Sequence, residues 1–257
     1  MPNDNLDSVV IARLSGLAPS LISVFDSLPS TNTYLSELAG QGVENFRTVL
    51  AESQTAGRGR MGRSFFSPTG SGIYLSLVLR PKILHAGRLT TLAAVVVSDA
   101  IFRVCGIKVD IKWVNDLLFE GKKLCGILAE SAGGGFAILG IGINVKRSAF
   151  GRELENIATS LENILGVAPD RNLLVAEILK GFIGADLDSF SHMAEYRSRC
   201  ITLGKEAVIV SSGEPITVLD VADDGALIVK DKDGNQKTVF SGEVSVRVTA
   251  ENGGSEK

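Results

Sequence analysis

The chain has 257 residues, 45% of them hydrophobic, enough to bury a sizeable core and to suit one large domain with a small one. A formal charge of −3 and a pI near 5.5 exclude a broad basic field for nucleic acid, so any anion must be met by a few placed groups. Three dispersed cysteines (Cys105, Cys125, Cys200) with no Cys-x-x-Cys pair argue against a disulfide framework or zinc cluster and suit the cytoplasm; no signal peptide or membrane span is legible.

The stretch before the first helical pattern, about 20 residues, is too short for a helix-turn-helix reader, so a DNA-binding role is disfavoured. From Ser30, hydroxyl caps precede Tyr34, Leu35 and Leu38 on one helical face, which predicts a helix over 31–39. Residues 48–53 read as a strand, 54–68 as a loop rich in Gly and Arg, and 73–79 as a second strand. The apolar run 89–104 is long enough to favour a buried helix, closing near Gly106.

Short strands are then expected at 109–113, 117–119, 124–131 and 136–144, joined by tight turns that imply antiparallel pairing. Helical periodicity returns at 161–165 and over 173–190, where Leu174, Ile178, Phe182 and Leu187 form an inward stripe. Beyond residue 203, strands near 207–211, 216–221, 226–230, 237–240 and 244–248 suggest a separate β-barrel. The expected class is therefore α+β: a mixed, mostly antiparallel sheet covered by helices in residues 1–202, a small barrel in 203–250, and a flexible polar tail in 251–257.

Four segments carry chemistry. Residues 54–63 read Gln-Thr-Ala-Gly-Arg-Gly-Arg-Met-Gly-Arg; Gly57, Gly59 and Gly62 permit close backbone approach, and Arg58, Arg60 and Arg63 bring fixed charge. Such a loop suits a phosphate, although a solvated connection has the same composition, and the Gly-Lys-Ser/Thr ending of a P-loop is absent. Lys112, Asn115 and Asp116 sit at the mouth of a strand-turn-strand unit, where an ordinary β-turn with a surface lysine is the alternative. Lys122 and Lys123 lead a strand that becomes apolar; regular alternation turns one lysine inward, where it needs an anion. In residues 140–145, glycines thin a strand whose Asn144 offers donor and acceptor; a close-packing role explains the glycines equally well.

In order and spacing these segments resemble the biotin protein ligases: Ser30, Thr31 and Asn32, then residues 54–63, 112–116, 123–126 and 142–145. Residues 225–229 and 241–247 are similar to the family's small C-terminal domain, so the resemblance covers most of the chain. It implies a class II aminoacyl-tRNA synthetase-like catalytic fold, the biotin–lipoate ligase fold, with an SH3-like β-barrel, in a monofunctional enzyme without a DNA-binding domain. Val114 stands where the family usually has proline, which predicts a looser turn at Asn115 and Asp116; Lys146 stands where relatives carry a small or amide residue.

The resemblance implies ATP and biotin as substrates with Mg²⁺, and as partner a biotin carboxyl carrier domain of a carboxylase; neither nucleic acid nor membrane is expected, and a homodimer is plausible. It places Ser30, Thr31, Asn32, Gln54, Arg58, Gly59, Arg60 and Lys123 on biotin. Gly57, Arg58, Arg60, Arg63, Lys112, Asn115 and Asn144 fall to the nucleotide. Lys123, Arg58, Arg60 and Asp116 carry catalysis, with Asp116 also a metal ligand. His85 and His192 receive no role, and Trp113 reads as core. The rivals are a lipoate protein ligase, disfavoured by the ureido-facing polar set, and a non-catalytic biotin sensor, disfavoured by Arg58, Arg60 and Lys123.

Overall fold

The computed structural model describes residues 5–39, 42–82, 84–147, 154, 156–240 and 246–248. The expected tail, 251–257, and residues 244 and 245 of the expected last strand lie outside them.

Seven strands form the main sheet: β1 (Ile22–Phe25), β2 (Thr48–Ala51), β3 (Gly72–Leu79), β4 (Asp110–Lys112), β5 (Asp116–Phe119), β6 (Lys122–Ser131) and β7 (Ala137–Asn144). Their order is β1-β2-β3-β7-β6-β5-β4; β1 and β2 run parallel and every other pair antiparallel. The mixed, mostly antiparallel sheet is as expected. Period-two alternation gives it two distinct faces. Ile73, Leu75, Leu77 and Leu79 of β3 and Leu139, Ile141 and Ile143 of β7 join one core with the apolar side of α3 (Ala86–Cys105) and α5 (Arg171–Ile183). The opposite face carries Val78 and Ile138, covered by α2 (Thr31–Ala39) through Leu35 and Ala39. Beyond that patch the same face presents Tyr74, Gly140 and Gly142 to a cavity, with Ser76 buried between.

The helices expected over 31–39 and 161–165 form as read, the second as α4 (Leu161–Leu165). The run 89–104 is α3, one turn longer at its start and ended by Gly106 at φ 72°. The helix expected over 173–190 stops at Ile183 before Gly184, and a separate α6 (Met193–Arg199) follows. Besides α6, two more elements were not expected: α1 (Ser8–Ser15), capped by the Asp7 carboxylate accepting from Val9 and Val10 N–H, and β1. The helix α1 packs on α5, and Leu6 N–H donates to Glu52, whose carboxylate also receives the buried Arg171 at 2.8 Å. A charge that deep is tolerable because it is paired and hydrogen-bonded.

The C-terminal sheet orders its strands β11-β10-β9-β8-β12, all antiparallel: β8 (Glu206–Ile209), β9 (Glu214–Val221), β10 (Leu227–Asp231), β11 (Gln236–Val239) and β12 (Val246–Val248). It meets the larger unit at Trp113, whose Nε1–H donates to the Gly225 carbonyl at 2.9 Å. Gly87 packs against the Asp224 carbonyl, where a Cβ would come within 2.3 Å.

Candidate active site

A cavity of about 130 Å³, open to solvent at its mouth, lies on the sheet face away from α3. Its floor is made by absent side chains. A Cβ on Gly140 would sit 2.3 Å from Asn32 Oδ1, one on Gly142 2.6 Å from the Phe65 ring, and one on Gly126 3.1 Å from Lys123 Nζ. The glycines therefore let Asn32, Phe65 and Lys123 lie against the sheet.

One wall is the start of α2. Ser30 Oγ accepts the Thr33 N–H at 3.4 Å, and Gln54 Oε1 accepts Thr31 N–H and Oγ1–H at 2.9 and 3.2 Å. The Gln54 amide donates on to Ser67 Oγ at 2.9 Å. The Ser76 hydroxyl lies between Thr31 Oγ1 and Asn32 Oδ1 and donates its single proton to one at a time. These groups are packed and mutually oriented, which fixes the direction of their remaining donors and acceptors.

The second wall is the Gly-Arg loop. Gly59 N–H donates to the Arg63 carbonyl at 2.7 Å and Phe65 N–H to the Gly57 carbonyl at 2.9 Å, so residues 57–65 fold back on themselves. Met61 and Gly62 turn this bend at φ 54° and 72°. Gly57 is required because a Cβ there would lie 2.4 Å from the Phe65 carbonyl oxygen. Arg60 donates to Asn115 Oδ1 at 3.0 Å; burial lowers its pKa from the usual range and Asp116 opposes that, leaving a guanidinium charged at any physiological pH.

The third wall is the hairpin of β5 and β6. Asn115 is held by its Nδ2 donating to the Ile127 carbonyl and by Ile127 N–H donating back, both at 2.9 Å. The turn is thus pinned without the proline expected at Val114. On β6 the register shifts between Leu117 and Leu118. This bulge places both Leu124 and Cys125 in the core and returns Lys123 to the cavity face, where strict alternation from Gly126 would have buried it. Lys123 is the inward lysine anticipated from the sequence; Lys122 is exposed.

Of the residues singled out in the sequence, the structure brings Ser30, Thr31, Asn32, Gln54, Arg58, Gly59, Arg60, Arg63, Asn115, Asp116 and Lys123 around one cavity. Gly57, Lys112 and Asn144 do not line it. Asn144 spends its amide on the Thr159 and Lys123 carbonyls at 3.1 and 3.4 Å, tying strand ends together. Phe65, Tyr74, Ser76 and Glu130 were passed over. Ser76 had a signal, a hydroxyl inside an apolar strand two positions from Tyr74, and Glu130 another, a carboxylate in phase with Gly126 and Leu128. Among the described residues no three His, Cys, Asp or Glu side chains converge as metal ligands. One carboxylate, Asp116, beside the Asn115 amide fits a magnesium ion carried mainly by phosphate oxygens and water.

Residues 24–146 match the model of the Biotin/lipoate A/B protein ligase family, and residues 202–247 that of the Biotin protein ligase C terminal domain. The bifunctional ligase/repressor BirA of Bacillus subtilis (strain 168) is 36% identical over 236 residues, 86% of this chain and 72% of that protein. The biotin--[acetyl-CoA-carboxylase] ligase of Paracoccus denitrificans is 34% identical over 226 residues, 80% of this chain and 93% of that protein. Among solved structures, a biotin protein ligase from Aquifex aeolicus in complex with biotin and ATP superposes with a TM-score of 0.78 at 29% identity, covering 89% of this chain and 99% of that one. The chain belongs to the biotin protein ligase family.

Proposed function

We propose that this chain joins biotin to ATP, releasing pyrophosphate, and passes the biotinyl group from the resulting biotinyl-5'-adenylate to one lysine of a biotin carboxyl carrier domain. The observation that supports it best is the gradient inside the cavity: oriented amides and hydroxyls at Ser30–Asn32 and Gln54, a glycine-thinned apolar floor, and cationic Lys123, Arg60 and Arg63 opposite. A ureido ring, a valeryl chain and a carboxylate beside phosphates have that sequence of needs.

In the first step a biotin carboxylate oxygen attacks the α-phosphorus and the bond to the β-phosphate breaks. Two anions must be held together, and Lys123 between the carboxylate and the α-phosphate offsets their repulsion. Arg58, Gly59 and Arg60 close over the adenylate and Arg63 supports the phosphate side, excluding water from a mixed anhydride that would hydrolyse. Asn115 and Asp116 hold the nucleotide and its Mg²⁺, which supplies charge neutralisation at the phosphates. In the second step the acceptor lysine's amine attacks the acyl carbon, AMP leaves, and Asp116 takes the amine's proton.

Residues 1–202 are read as the catalytic unit, 203–250 as the barrel and 251–257 as a tail. A cytoplasmic homodimer paired through the main sheet completes the reading, and sedimentation checks it. The deciding experiment is pyrophosphate release with ATP and Mg²⁺, comparing biotin, lipoate and octanoate, for the wild type and Lys123→Ala. Release with biotin, greatly slowed in the variant, is expected. Release with lipoate alone establishes a lipoate ligase, and no release with any acid leaves a biotin-binding module.

A further inference from the structure

Glu130, near the end of β6, touches two walls of the cavity, the start of α2 through Asn32 and the Gly-Arg loop through Arg58. Its Oε1 receives Arg58 Nη2 at 2.8 Å, and its Oε2 receives the Asn32 Nδ2–H at 2.9 Å, with the second Arg58 nitrogen at 3.4 Å. A carboxylate only accepts, so this contact decides the Asn32 amide: nitrogen toward Glu130, oxygen toward Ser76. One Nδ2 hydrogen and one Oδ1 lone pair remain for a ligand. The same carboxylate holds, by a two-pronged contact, the arginine that begins the turn at residues 58–63.

We propose that Glu130 is a positioning residue that couples the acid-binding end of the pocket to the Gly-Arg loop. Setting the Asn32 amide and tethering Arg58 are one act, because both contacts meet on one carboxylate. An ordered amide at the pocket and a folded loop above it then stabilise each other. An isolated exposed ion pair would contribute little. The difference here is that Asn32 is buried and its second partner, Ser76, is fully buried, so its orientation has few alternatives. The inference rests on the pocket taking biotin as proposed above; the loop half does not.

The test uses the full chain and two variants. Glu130→Gln keeps an acceptor for Asn32 but loses the charge facing Arg58; Glu130→Ala loses both. Glu130 is only partly buried, so both variants are expected to fold, which circular dichroism and the melting temperature check. Trypsin reads the loop directly, since Arg58, Arg60 and Arg63 are its cleavage sites and no activity is required. Both variants are expected to be cut there at least fivefold faster than the wild type. Calorimetry with biotin reads the pocket: Glu130→Ala is expected to bind about tenfold more weakly, and Glu130→Gln within about threefold of wild type. Wild-type cleavage rates in Glu130→Ala, or unchanged biotin affinity in that variant, overturn the coupling. A wild-type chain that binds no biotin overturns the reading of the pocket instead, while faster cleavage in the variants still supports the tether.

Discussion

Lys123 Nζ lies 2.7 Å from Asp116 Oδ1, across the hairpin that joins β5 to β6. The two charges pair at the cavity, which both side chains line. A lysine resting on such a partner can turn to a ligand carboxylate or phosphate at small cost, leaving Asp116 able to accept in its place. Lys123→Ala should lower pyrophosphate release by about 10²–10³, the scale of losing one preorganised charge at a developing anion. The melting temperature should change little, because both side chains are partly exposed and such pairs contribute little to stability. Asp116→Asn should slow transfer to the carrier lysine and alter the dependence on ATP and Mg²⁺; normal behaviour in both assays removes both roles given to that residue.

Gly142 and Gly140 give a second prediction, since here a single methyl group meets a packed wall. Alanine at 142 puts a Cβ 2.6 Å from the Phe65 ring, and at 140 one 2.3 Å from Asn32 Oδ1. Both neighbours border the cavity, so the strain is relieved by moving them into the space meant for the acid. The KM for biotin should rise at least tenfold in each variant, with the KM for ATP within about threefold of wild type. Steady-state kinetics with each substrate varied in turn check this; equal effects on both substrates would place the glycines under the fold and not the pocket.

Much of this site was legible because its chemistry is local. The Gly-Arg loop announces itself by composition, the helix over 31–39 by its hydroxyl start, and the inward lysine by the polarity change along one strand. Less legible was anything set by register or by partners far along the chain. Alternation alone could not choose between Lys122 and Lys123, because the choice depends on the bulge at Leu124. Asn144 looked available for a ligand until Thr159, 15 residues away, claimed its amide. The strand β1 stayed hidden because it pairs in parallel with β2 across α2, a contact no hairpin turn signals.

Trp113 marks a third point where distance along the chain concealed a role. It is only 5% exposed, as expected of core, yet its indole also donates to the Gly225 carbonyl, and its backbone N–H donates to Thr202 Oγ1 at 3.0 Å. The residue two positions on is Asn115, so barrel and active-site turn share this anchor. Trp113→Phe keeps an aromatic body but leaves that carbonyl without its donor, at a cost of ~1–2 kcal/mol. The melting temperature should fall by roughly 2–8 °C, and the KM for ATP should rise more than that for biotin. A stability loss with both KM values unchanged would confine Trp113 to packing.

His192 supplies a stability signature independent of the active site. Its Nε2 lies 2.9 Å from Thr91 Oγ1 beneath α3, where burial first, and the nearby Arg88 charge second, lower its pKa from 6.5 to about 4. Between those pH values the unfolded chain binds a proton that the folded chain refuses. The contribution is therefore fully present above about pH 6.5 and is lost as pH falls toward 4, with a slope of at most ~1.4 kcal/mol per pH unit. His192→Gln retains a polar partner for Thr91 and cannot titrate. Thermal melts from about pH 7.5 to 4.5 should show the wild type losing stability more steeply than the variant over that range. Parallel curves would mean that the imidazole accepts a proton without cost in the folded state, and so is not held neutral by its burial.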